Sequence, residues 1–149
     1  MDTEQNKAIA QELFARLTAS DFAGALDLMA DDATWWIAGR KERTPTSGLH
    51  SKESIGRLFH GMAHALVGGL KMTVLSCIAE ADRVALEVVS RGDLKNGRQY
   101  RQAYHMLVQV HHGKVQSVRE YLDTGHVHEV FFAPLTEAER TAGAARSEG

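Results

Sequence analysis

The residues of this chain that could do chemistry gather in its last third. Residues 98–111 and 114–123 read as two long strands that turn back at His112-Gly113, where glycine tolerates the positive φ of a tight hairpin. Period two puts Tyr100, Gln102, Tyr104, Met106, Val108 and Val110 on one face of the first arm. Arg101, Ala103, His105, Leu107, Gln109 and His111 fall on the other. On the second arm, Ser117, Arg119, Tyr121 and Asp123 share a face opposite Val118, Glu120 and Leu122. Asp123, an acid closing an aromatic-flanked strand, is the first candidate for proton chemistry. Facing an apolar cavity, its carboxylate would be disfavoured and its pKa raised, which suits a general base acting beside a carbonyl. The competing reading is a solvated strand-end acid that pairs with Arg119 or caps the segment after Gly125. Trp35, Gln102 and Tyr104, with Ser90, offer N–H and O–H donors that could hold a developing oxyanion. Tyr104 and Trp35 read equally well as core aromatics whose polar ends reach water or backbone, and Tyr121 is a similar case.

Other reactive side chains point elsewhere. His60 and His64 lie at i, i+4 on one helix and His126 and His128 at i, i+2, but no third ligand stands at a metal-site spacing, so no metal is expected. His105 falls on the outward face, where a subunit contact to Glu87 or Glu120 is favoured over catalysis. Cys77 has no histidine beside it and reads as a small hydrophobe. The basic run at Arg40–Lys41–Glu42–Arg43 reads as a solvated loop, and no phosphate loop or dinucleotide fingerprint is present, so no cofactor is implied.

The elements that would position these groups follow from periodicity. Residues 3–18 read as an amphipathic helix with Ile9, Leu13, Phe14 and Leu17 on one side. A second, shorter helix is capped by Ser20, carries Phe22, Leu26 and Met29, and ends at Asp31-Asp32. Residues 33–38, with Trp35 and Ile37 on one face and Trp36 on the other, read as a short strand, and residues 39–48 as a mobile polar loop. Residues 51–66 form the clearest helix, with Ile55, Leu58, Phe59, Met62, Ala63 and Leu66 in a broad stripe stopped by Gly68-Gly69. Residues 71–80 and 83–94 read as strands, and Asn96-Gly97 makes the next hairpin. Residues 126–132 read as a short helix or an irregular cover.

This order predicts an α+β fold: a curved antiparallel or mixed sheet wrapped around N-terminal helices to form a cone with an internal cavity. Residues 1–134 would form the single domain and residues 135–149 a polar, partly disordered tail. A chain of 149 residues with net charge −2 and one cysteine excludes a basic nucleic-acid surface, an anionic-membrane anchor and a disulfide framework. No signal peptide or membrane-spanning run is evident, and the cytoplasm is the expected compartment. Apolar outward positions such as Val89, Leu107 and Val118 predict a homodimer through the outer sheet face.

The order of elements, with Gly97-Arg98-Gln99-Tyr100, Gly113-Lys114-Val115 and Arg119-Glu120-Tyr121-Leu122-Asp123, resembles the nuclear-transport-factor-2-like superfamily. It is most similar to the branch of SnoaL-like polyketide cyclases and ketosteroid-isomerase-related proteins, with the limonene epoxide hydrolases as cousins. The resemblance implies a cystatin-like α+β barrel and cofactor-independent proton transfer, isomerisation or cyclisation, on a small hydrophobic carbonyl compound. Alternatives are lipophilic binding without turnover and epoxide hydrolysis. It implies Asp123 as the catalytic acid or base. The substrate would be lined by Trp35, Ile37, Phe59, Val88, Ser90, Gln102, Tyr104, Met106 and Tyr121. The Arg-x-Asp pair of the epoxide hydrolases matches Val88 and Ser90 here; Arg91 and Asp93 would reach the cavity only through a bulge near Gly92. The base position of the steroid isomerases matches Ile37.

Overall fold

The computed structural model describes residues 2–148. Helices α1 (Thr3–Thr18) and α2 (Phe22–Asp27) lead into β1 (Met29–Ile37) and β2 (Gly48–Ser51). Helix α3 (Lys52–Ala65) precedes β3 (Leu66–Glu80), β4 (Arg83–Leu94), β5 (Gln99–His111) and β6 (Lys114–Leu122). A single turn, α4 (Thr124–Val127), runs into a π-helical turn (His128–Phe132), and α5 (Glu137–Glu148) ends the chain. The six strands form one sheet in the order β2-β1-β6-β5-β4-β3. β1 and β6 run parallel and every other pair is antiparallel. Helix α1 lies against β3, and α3 against β1 and β3, so the helices cover one face of the sheet. The expected α+β architecture is therefore present, with the mixed sheet enclosing a core that includes Leu13, Phe14, Trp35, Ile55, Leu86, Met106 and Val118.

Local chemistry sets the boundaries. Asp2 caps α1 in a reciprocal box with Gln5, and Ser51 caps α3 through the Ser54 amide. The second helix is capped by Asp21 and not by Ser20, which takes a left-handed φ of 58° in the turn between the helices. That helix also ends earlier than expected. Met29 opens β1, and Asp31-Asp32 lie within the strand as exposed residues at a register irregularity against β6. Gly68-Gly69 do not stop α3, which ends at Ala65; they form a bulge inside β3.

Two other expectations change. The 39–48 loop is pinned rather than mobile: Thr44 and Ser47 are buried and hydrogen-bond each other, Ser47 Oγ donates to the Ala38 carbonyl, and the His128 ring meets the Arg43 carbonyl. The tail composition suggests fraying, whereas α5 is tied back by Arg98. The Arg98 guanidinium pairs with Glu139 and donates to the carbonyls of Glu129, Val130, Ala133 and Pro134. Among the described residues no helix is long and apolar enough to cross a membrane.

Candidate active site

The hairpin β5–β6 decides which side chains enter the cavity. His112 and Gly113 take left-handed φ values of 50° and 75° in a two-residue turn, so His111 pairs with Lys114 and Val110 with Val115. Continued without interruption, that register would set Tyr104 opposite Tyr121 and Gln102 opposite Asp123, all facing inward. A bulge at Gln116 instead shifts the pairing by one: Gln109 meets Ser117, Val108 meets Val118, Met106 meets Glu120 and Tyr104 meets Leu122. Because side chains alternate, a one-residue shift exchanges the faces of everything beyond it.

Glu120 consequently points inward, and Asp123 does not. The Asp123 carboxylate is exposed and accepts from the His126 amide at 3.2 Å as the N-cap of α4. It is not in the cavity wall. This corrects its assignment as the catalytic acid and favours the capping role. Tyr121 is likewise outward, 40% exposed and packed edge-on to Trp36, with the Arg119 guanidinium 4.1 Å above the Trp36 ring. Val118, read as an outward dimer position, is buried in the core.

The cavity measures about 130 Å³ and lies between the helices and the inner sheet face. Of the expected lining, Trp35, Ile37, Phe59 and Tyr104 border it. Val88, Met106, Ser90 and Gln102 are buried behind the wall, so their expected contact with a ligand is corrected to support. Gln102 is fully committed. Its amide nitrogen donates to the Tyr100 hydroxyl and the Asp123 carbonyl, and its oxygen accepts from the backbone amides of Ala103 and Asp123. It closes the end of the hairpin and has no donor left for a guest. Arg91 and Asp93 are exposed on the opposite face, and the β4–β5 register runs through them without a shift, so the rescuing bulge in β4 is absent.

The sequence reading missed Glu120 and Tyr100. Among the described residues Glu120 is the cavity's lone carboxylate. The Trp35 indole N–H donates to Glu120 Oε1 at 2.9 Å, and that ring is itself held edge-on by Phe14 and Phe59. Glu120 lines the apolar cavity. Burial therefore pushes its carboxyl up to about 7, with the Trp35 bond pulling the other way.

Tyr100 sits at the end of a hydrogen-bonded row. Ser90 and Tyr104 hydroxyls are 2.8 Å apart, the Tyr104 O–H donates to the Tyr100 oxygen at 3.4 Å, and Gln102 donates to the same oxygen at 3.2 Å. Two donors occupy the Tyr100 lone pairs, which leaves its own O–H proton without an acceptor among the described residues. Burial pushes this phenol up to about 12 and Tyr104 well above its ordinary value, so both keep their protons at neutral pH. The Tyr100 ring is fixed by stacking on His126 and by an edge contact with Phe131.

The histidines do not converge. His60 and His64 are exposed, His126 accepts from the Arg101 amide, and His128 bonds the Arg43 carbonyl. Among the described residues no group of three or more potential ligands is assembled. Cys77 is half-buried, and burial pushes its thiol up.

Comparison with known proteins places this geometry. An NTF2-like protein from Burkholderia xenovorans is 25% identical, covering 87% of this chain and 98% of its own, with a TM-score of 0.69. A protein with a cystatin-like fold from Xanthomonas campestris is 22% identical over 85% and 97% of the two chains, with a TM-score of 0.74. TerC, co-crystallised with polyporic acid, is 19% identical over 87% and 99%, with a TM-score of 0.74. No curated protein matches the sequence. The family pattern of the SnoaL-like domain matches residues 10–118. With that match spanning most of the cone, the chain belongs to the SnoaL-like domain family, within the NTF2-like superfamily.

Proposed function

We propose that this protein moves a proton on a small apolar carbonyl compound held in the cavity, in an isomerisation or cyclisation. The observation that carries the reading is the pairing of one carboxylate, near neutral pKa, with a phenol whose O–H is uncommitted, inside one apolar chamber. The Glu120 carboxylate takes the proton from the carbon beside the carbonyl. The electron pair moves onto the carbonyl oxygen, and the Tyr100 O–H hydrogen-bonds the enolate that forms. Glu120, now a carboxylic acid, returns the proton to another carbon, and no external co-reactant is consumed. The Ser90–Tyr104 row polarises the Tyr100 hydroxyl.

The cavity size limits the substrate. A void of about 130 Å³ is well below the roughly 300 Å³ and more typical of sites for drug-sized ligands, and suits a guest of one ring. The SnoaL-like assignment and the co-crystallisation of TerC with polyporic acid support a small-molecule role for this fold. Epoxide hydrolysis is less well supported, because Arg91 and Asp93 face away from Glu120. Lipophilic binding without turnover is favoured by the predominantly apolar lining and is separated by experiment. Cyclohex-3-enone is the probe, with formation of the conjugated enone followed by absorbance. Turnover by the wild type that is lost in Glu120→Gln and reduced in Tyr100→Phe supports the reading. Turnover retained by Glu120→Gln rejects Glu120 as the base. Saturable binding without turnover moves the protein to the binding reading.

A further inference from the structure

We propose that the outer face of the sheet carries a recess for a small, multiply charged oxyanion, built from Lys71, Arg91 and Arg101. The three residues stand in a row across three neighbouring strands: Lys71 is paired with Arg91, and Arg91 with Arg101. All three are exposed on the face away from the cavity. Like charges set directly opposite one another across a sheet are destabilising. Among the described residues none of the three takes part in an ion pair. The chain as a whole is slightly acidic, so this row is a local concentration of charge and no part of a generally basic surface.

The backbone beside the row is shaped as a hollow. In β3, Gly68, Gly69 and Leu70 fall between the Val67–Asp93 and Lys71–Arg91 pairs and oppose Gly92 alone. Gly68 and Gly69 take φ values of 77° and 80°, which other residues rarely adopt, and a Cβ at Gly68 would meet nothing within 4 Å. The bulge and the three cations line an open recess of about 360 Å³, together with Asp93, Gln99 and Tyr100. Arginine forks suit bidentate contact with phosphate or carboxylate oxygens, and lysine adds a point charge. Among the described residues Asp93 is the one acid in the lining. It leaves the recess with an excess of positive charge and offers an acceptor to a hydroxyl on the same ligand. The short row of three cations favours a small molecule over an extended acidic polymer. The three cations stand on the outer face, away from Glu120, and Tyr100 is the one lining residue shared with the cavity.

The test measures thermal stability and calorimetric binding at low ionic strength, with inorganic phosphate and citrate as probes and sodium chloride at matched ionic strength as control. The wild type should bind at least one probe saturably. Arg91→Gln/Arg101→Gln should bind it at least about tenfold more weakly, as expected for loss of two charge-assisted contacts. Phosphate preferred over citrate identifies a phosphate-bearing ligand, and the reverse a polycarboxylate. Without any anion the double variant should melt at or above the wild-type temperature, since it relieves the like-charge row; this establishes that it folds. Equal responses of wild type and variant, equal responses to chloride, or no response of the wild type to either probe would overturn the proposal. Binding of polyglutamate with no response to phosphate or citrate would overturn it in favour of a macromolecular surface.

Discussion

Replacing Glu120 with glutamine should stabilise the protein at pH 8 and leave it nearly unchanged near pH 4.5. The carboxyl is raised from 4.5 to about 7 because ionisation in the apolar cavity is disfavoured. Between those pH values the folded chain holds a proton that the unfolded chain has released. Stability is therefore fully present below the unfolded pKa, falls as pH rises through the folded pKa, and levels off above it. At 1.36 kcal/mol per pKa unit the loss amounts to about 3 kcal/mol across the window. For a chain of this size that corresponds to roughly 6–12 °C in melting temperature. Glutamine keeps the shape and an acceptor for the Trp35 indole N–H, so packing is preserved while the titration is removed.

The assay is urea unfolding of both proteins at half-unit steps from pH 4.5 to 8.5. The difference between the two curves isolates Glu120, the one group that differs between the two proteins. The difference should grow through the window with its midpoint halfway between the unfolded and folded values, at about pH 5.8, whereas the indole N–H resonance of Trp35 should shift with its midpoint at the folded pKa of about 7. Parallel stability curves would refute the reasoning, because they would mean that Glu120 ionises as freely in the cavity as in water.

The other expectations concern separate parts of the fold. Under the enzyme reading, Trp35→Phe should move the pH midpoint of turnover upward, because the indole N–H bond is what favours the Glu120 carboxylate; an unchanged pH–rate profile would dismiss that bond. Asp123→Asn should leave turnover intact and Asp123→Ala should cost about 1 kcal/mol as a lost helix cap, both read by kinetics and urea melts. Arg98→Met should strip the C-terminal segment of its shared donor, costing about 2–3 kcal/mol and raising amide exchange over residues 128–139. Sedimentation at micromolar concentration should show a homodimer built on the part of the outer sheet that carries Leu75 and Ile78, which are 60% and 70% exposed, and leaving the Lys71–Arg91–Arg101 row uncovered; a clean monomer would discard that dimer.

The architecture was legible because most of it is written in periodicity. The stripe on α3 and the alternation along β5 report burial directly: Tyr100, Gln102, Tyr104, Met106, Val108 and Val110 are all buried in the structure. The site was legible only up to the Gln116 bulge. Before it, odd-numbered Val115 is buried; after it, even-numbered Val118 is, and strict alternation cannot bury both. That change of parity is the available signal. It gains force when Leu122 and Glu120 are seen to fall in step with Val118. A lone glutamate between two apolar residues reads as a solvent-facing position by composition, since burying an acid is unfavourable without a partner. Its partner, Trp35, is 85 residues away on a strand that pairs in parallel with β6, and a parallel pairing across such a separation leaves no local mark. The choice between Glu120 and Asp123 thus rests on one inserted residue in a hairpin, and a register shift at that point changes which acid the cavity receives without changing the amino-acid types available to supply it.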